Sequence, residues 1–332
     1  MGEEIILYFF DCIALYFLQG FFCEVIFINS MFKSLNGSIL VCLAATMWGF
    51  DAIVLTPRLY HLSVPFVVFI LHCLPAIGMT MLFGKEEFQN IKKIPKKDFI
   101  FFFLVALCGG ALGTLSIIKA LFLVNFQHLT VVTLLQKLQP IFAIALAMIF
   151  LKERFKNSFG IWVLIALVSG YFLTFEFTLP EVNVGDNLLL ACFYSLLAAF
   201  SFGGATVFGK RILHVANFRT ALYIRYVLTT LIMFVIVIYQ GQMGEIFKAT
   251  YSDWGLFILI GLTTGSFAIY IYYIGLSTIK AGVSTICELC FPVSSVLFDY
   301  VFNGHILSPF QMVMAAVMVF SIIRISKLTE KN

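Results

Sequence analysis

Apolar runs of about 20 residues follow one another along most of this chain, and each is long enough to cross a hydrocarbon core roughly 30 Å thick. In lipid a backbone must satisfy its own hydrogen bonds, so such runs fold as helices that pack on one another. They fall at about 37–57, 64–84, 98–124, 128–150, 158–178, 187–209, 219–240, 253–275, 281–302 and 308–325. Only 11% of the chain is charged, against about 25% in an ordinary soluble domain. The expected class is all-α, a polytopic membrane protein of ten transmembrane helices.

Upstream lies a further apolar stretch, residues 5–28, interrupted by Asp11, Gln19 and Glu24. Only Glu3 and Glu4 precede it as charges, so it lacks the basic head of a secretory signal. Residues 1–35 read either as an extra helix or as an extension ahead of a start at Met31. The loops set the orientation. If the residues before 37 are cytoplasmic, that side collects sixteen Lys and Arg and the far side only Arg58 and Lys248. Basic residues stay inside, so both ends of the ten-helix core are expected in the cytoplasm. The basic residues are spread over many loops, so nucleic acid is not an expected partner; the lipid bilayer is.

The chain repeats itself. Leu134-Leu135-Gln136-Lys137-Leu138-Gln139-Pro140 and Ile286-Cys287-Glu288-Leu289-Cys290-Phe291-Pro292 lie 152 positions apart, with Gln136 on Glu288 and Pro140 on Pro292. Gly109 and Gly113 fall on Gly261 and Gly265, Trp48-Gly49 matches Phe202-Gly203, and Arg58-Leu-Tyr-His61 matches Arg211-Ile-Leu-His214. Five helices per copy is an odd number, so the second copy is inverted. The copies are expected at 36–179 and 186–326. Inverted repeats with a midplane site are a construction of secondary transporters.

At 1.5 Å per residue Gln136 lies roughly 12 Å below one membrane edge and Glu288 roughly 11 Å above the other. Charges at that depth mark pathways or are paired. Gln136, Lys137 and Glu288 are the leading substrate-binding candidates. The competing reading is a Lys137–Glu288 ion pair that staples the halves. Trp48, Arg225 and Tyr272 join the binding list, the aromatics for stacking or caging a cation and Arg225 as an anion contact or a residue reaching for the inner headgroups. Pro140 and Pro292 break their helices' hydrogen-bond ladders and are assigned, with Glu288, to coupling or gating. His72 reads as a hydrogen-bonded packing residue. Asp51 reads as facing the cavity or capping an interrupted helix.

The eight cysteines sit mostly within apolar runs and read as core residues. Cys287-x-x-Cys290 has redox spacing but lacks a third ligand nearby in sequence, so no metal or cofactor is expected. Nucleophile elbow, P-loop and His-Glu-x-x-His motifs are all missing, which argues against an enzyme and against ATP-driven transport by this chain.

The pattern resembles the drug/metabolite transporter superfamily, EamA type. The resemblance rests on the Ala-rich openings Ala44-Ala45-Thr46-Met47-Trp48-Gly49 and Ala198-Ala199-Phe200-Ser201-Phe202-Gly203, and on Leu134-Leu135-x4-Pro140 followed by Phe150-Leu151-Lys152-Glu153-Arg154. It covers about residues 36–326. Asn303-Gly304-His305 stands where the second half would carry Glu-Arg, which leaves Glu153 as a helix-end or gating residue. The resemblance implies a central cavity and movement of small metabolites, often outward, across a bacterial inner membrane. The expectation is a secondary transporter working by alternating access, amino acids first among substrates. A cationic metabolite such as choline or a drug, or a non-transporting scaffold, stand as alternatives, and a homodimer is left open.

Overall fold

The computed structural model describes residues 36–123, 132, 135–177, 186–304 and 306–330. The two readings of residues 1–35 lie outside these, as do Leu134 and His305. The described residues contain nine helices long and apolar enough to cross a membrane. They are α1 (Gly37–Leu59), α2 (Val64–Lys92), α3 (Lys96–Leu123), α5 (Asn157–Phe175), α6 (Asn187–Ile212), α7 (Phe218–Tyr239), α8 (Tyr251–Thr278), α9 (Ala281–Asn303) and α10 (Pro309–Leu328). Between α3 and α5 lies a shorter apolar helix, α4 (Gln139–Phe150). The protein is an all-helical, polytopic membrane protein.

The two sets of five are interleaved. α1 packs on α8 and α9, and the corresponding α6 packs on α3 and α4. α2 meets α7, α4 meets the first part of α9, and α5 meets α10. Exchanging the sets maps this contact pattern onto itself, as an inverted repeat requires. The Trp/Phe-Gly pairs have a physical reason here. A Cβ on Gly49 would lie 3.0 Å from Phe291 O, and one on Gly203 would lie 2.9 Å from Ala143 N and 3.0 Å from Gln139 O. Each glycine thus lets the first helix of one set press against the broken helix of the other. The second glycine correspondence is only partial. Gly113 meets the Phe202 ring and Gly109 meets Ala205, whereas a Cβ on Gly261 would find nothing nearer than Pro75 Cγ at 4.0 Å. The two stretches instead share a widened π turn, at Ala106–Leu112 and Gly261–Phe267.

Both repeats carry a break where the prolines stand. The backbone turns at Lys137–Leu138 before α4 and at Glu288–Leu289 inside α9. Proline has no N–H for the carbonyl four residues back and its ring clashes with it; those carbonyls belong to Gln136 and Glu288. Tighter bonds replace the ladder, Ile141 N–H to Leu138 O and Phe291 N–H to Glu288 O, both 2.9 Å. The run at 128–150 and the run at 281–302 are therefore discontinuous, which hydropathy cannot show because it averages over a window much longer than a two-residue turn.

Polar pairs tie the helix ends with the same symmetry. Arg211, ending α6, bonds Asp98 at the start of α3, and His61, beyond α1, bonds Asp253 at the start of α8, both at 3.1 Å. α2 runs to Lys92, past the expected end near residue 84, because Glu86 and Glu87 extend it to reach Arg219. Glu87 is fully buried and accepts from Arg219 Nε and Thr220 Oγ1. Glu87→Ala is expected to lower stability by about 2 kcal/mol, the scale of a lost hydrogen bond to a charged group. The thermal midpoint of purified protein checks this; an unchanged midpoint would show that Glu86 alone holds Arg219.

Candidate functional site

The break in α9 turns Glu288 into the seam between the sets. Its Oε1 accepts hydrogen bonds from Tyr272 Oη at 2.8 Å and Thr206 Oγ1 at 3.1 Å. Its Oε2 accepts from Gln139 Nε2 at 2.9 Å. Thr206 lies on α6, Tyr272 on α8 and Gln139 at the start of α4, so the carboxylate is held from both repeats. It remains half-buried. The Trp48 ring lies 5.3 Å from the Tyr272 ring, and Tyr272 lies 5.9 Å from Tyr273. Trp48 and Gln139 are also half-buried, whereas both tyrosines are buried.

Arg225 extends this wall. Its Nη1 donates to Tyr273 Oη at 3.2 Å and its guanidinium carbon lies 5.8 Å from the Tyr273 ring. Its Nε is buried without a hydrogen-bond partner. The packing that admits it comes from Gly109, where a Cβ would stand 3.2 Å from Nη2. Arg225 therefore faces the protein interior, beside the tyrosines, instead of reaching for headgroups. No ion pair among the described residues involves Arg225 or Glu288.

Lys137 is the sequence candidate that goes elsewhere. Its Nζ donates to Thr174 Oγ1 on α5 and lies 5.5 Å from the Phe175 ring. The Lys137–Glu288 staple is not formed. The reason is the break: Lys137 sits in the turn itself, while Gln139, at the start of α4, takes the place on the carboxylate. Gln136 is half-buried just ahead of that turn. Pro140 and Pro292 are both buried in the first turn of the helical piece after each break.

Two contributors were not chosen as site residues from sequence. Gln139 stood in the polar stretch, but a continuous helix gave no reason to prefer it to Lys137. Thr206 lies one turn beyond Phe202-Gly203, and its signal is that helical spacing alone. Tyr273, which the sequence placed with Tyr270, Tyr272 and Trp48 on helices expected near the cavity, meets Arg225 and Tyr272. His72 Nδ1 lies 2.8 Å from Val68 O, so that nitrogen carries the proton and donates one turn back. Lys119 is exposed. Cys42, Cys287 and Cys290 are free cysteines. No group of residues able to hold a metal ion appears among the described residues.

Ten inverted helical segments around a charged, aromatic seam define a membrane transporter. The chain belongs to the EamA-like transporter family, whose model matches residues 35–175 and 189–327. Riboflavin transporter ImpX of Fusobacterium nucleatum is 64% identical over 298 residues, which are 90% of this chain and all of that protein. Uncharacterized transporter YwfM of Bacillus subtilis is 24% identical over 193 residues, 58% of this chain and 62% of that one. A crystal structure at 15% identity superposes with a TM-score of 0.67, covering 89% of this chain and 98% of the other, and shares the fold. The protein is a transporter of a small metabolite and not an enzyme.

Proposed function

We propose that this protein transports riboflavin, or a flavin with the same ring system, through the seam between repeats 36–179 and 186–326. The observation that carries the reading is the 64% identity to a riboflavin transporter along that relative's whole length. The site chemistry supports it. A flavin ring is flat, uncharged at neutral pH and edged by alternating carbonyl and N–H groups. Trp48 and Tyr272 offer aromatic faces, Glu288 offers an acceptor, and Arg225 and Gln139 offer donors. An amino acid, the first expectation from sequence, ranks second, because the relative at 64% identity is named for riboflavin. In the proposed arrangement both ends of the core face the cytoplasm of a bacterium, following the sixteen-to-two bias of basic residues.

Flavin fluorescence gives the test, because stacking on an aromatic ring quenches it. Titration of purified protein into riboflavin is expected to quench emission saturably. Trp48→Ala is expected to weaken binding about tenfold, the equivalent of ~1–1.5 kcal/mol for one aromatic contact. No quenching of riboflavin, with a raised thermal midpoint in amino acids or choline instead, would overturn the reading.

A further inference from the structure

We infer that Asp51 and Thr264 form a binding site for a small monovalent cation, sodium or a proton, that is separate from Glu288 and serves as the coupling site of the transporter. The inference rests on the transporter class of the chain and not on the identity of its substrate.

Asp51 follows the 14-residue helical stretch Gly37–Phe50, which places it ~21 Å along α1 and inside a hydrocarbon core of about 30 Å. No ion pair among the described residues uses it. The hydroxyls of Thr56 and Thr264 face its carboxyl group, yet Asp51 Oδ1 and Thr264 Oγ1 are both buried without a hydrogen-bond partner. Thr264 is only 4% exposed. The Asp51 carboxyl group and the Thr56 and Thr264 hydroxyls thus bring oxygens from both repeats together within the membrane span. Oxygen-only ligands suit hard cations.

The backbone at this place is unusual on both sides. Asp51 opens a π turn, Asp51–Leu55, closed by Thr56 N–H to Asp51 O. Thr264 lies in the π turn Gly261–Phe267 of α8, which packs against α1. Single π turns concentrate at functional sites. The arrangement also offers a route for coupling. Trp48 and Asp51 are three residues apart and share a face of α1, so an ion at Asp51 and a ligand against Trp48 act on the same helix. Glu288 is the poorer coupling group, since both of its oxygens are already engaged.

The test needs no substrate. Thermal unfolding of the purified full chain is followed at constant ionic strength with sodium chloride replaced stepwise by N-methylglucamine chloride, and in N-methylglucamine chloride from mildly alkaline to mildly acidic pH. Wild type is expected to gain several degrees with sodium, or with acid if the cation is a proton, because a ligand of the folded state alone raises its midpoint. Asp51→Asn is expected to lose that response. Thr264→Val keeps the charge and is expected to need about tenfold more sodium, the equilibrium equivalent of one weakened ligand. Should Asp51→Asn not fold, Thr264→Val decides alone through its half-saturation. A wild type indifferent to both cations, or variants that respond as wild type does, would overturn the inference.

Discussion

Glu288→Gln is expected to weaken riboflavin binding about 10- to 100-fold while leaving the protein folded. A hydrogen bond to a charged group contributes about 1.5–3 kcal/mol, and 1.4 kcal/mol is tenfold in affinity. The amide keeps the shape of the carboxylate and one of its acceptor oxygens. Tyr272, Thr206 and Gln139, which converge on Glu288 at 2.8–3.1 Å, then keep part of their network. Glu288→Ala is harsher, because three donors lose their acceptor inside the membrane; its thermal midpoint is expected to fall well below that of the amide variant. Lys137→Met serves as the internal control. Lys137 bonds Thr174 and not Glu288, so the stability effects of Lys137→Met and Glu288→Gln are expected to add to within ~0.5 kcal/mol, as for independent sites. A coupling above about 1 kcal/mol in that double-mutant cycle would mean that the two charges meet, and the seam would be a staple after all.

The outcome for Lys137 shows where sequence reasoning reaches its limit in this chain. Helix number and the inverted repeat followed from hydropathy, an odd helix count and a 152-residue offset, all properties of long segments, and the family from short motifs such as Trp48-Gly49 and Leu151-Lys152-Glu153-Arg154. The fixed rise per residue gave the expected depths of Gln136 and Glu288. The partners of Glu288 and Lys137 did not follow. Partner choice depends on azimuth, and a proline-induced turn resets azimuth within two or three residues. Pro140 and Pro292 announced that a break would occur, but not that Gln139 would replace Lys137 at the carboxylate. Thr206 and Thr264 illustrate the other gap. A threonine in an apolar helix is common and normally bonds the carbonyl four residues back, as Thr46, Thr80 and Thr174 do here. Only the folded arrangement distinguishes Thr206, which also donates to Glu288, and Thr264, whose hydroxyl is left over.

Glu153→Ala is expected to loosen the end of the transporter proposed as cytoplasmic. Glu153 follows α4, where Lys152 adopts φ 55° and Glu153 N–H reaches back to Ala147 O. That reversal aims the Glu153 carboxylate at α9 of the other repeat, where it accepts from Ala281 N–H at 2.7 Å and Gly282 N–H at 3.1 Å. Free amides and the helix dipole make a helix start an anion site. The neighbouring contacts tighten the same clasp: Lys280 Nζ donates to Arg154 O, and Lys210 Nζ donates to Leu276 O and Ser277 O, all at 2.8 Å. Gly282 has no side chain because the Phe155 ring occupies the space where a Cβ would point. Losing a charged acceptor of two amides removes about 2–3 kcal/mol from the clasped state, which moves the clasped-to-open ratio by roughly 30- to 150-fold. Ser284→Cys, one turn into α9 and fully buried, reports that ratio. Its labelling by a membrane-impermeant maleimide from the Glu153 side is expected to accelerate about 10- to 100-fold when Glu153→Ala is added, while the buried native Cys108 remains protected. Acceleration at both thiols would mean general unfolding, and acceleration at neither would mean that the clasp is held by Lys210 and Lys280 without Glu153.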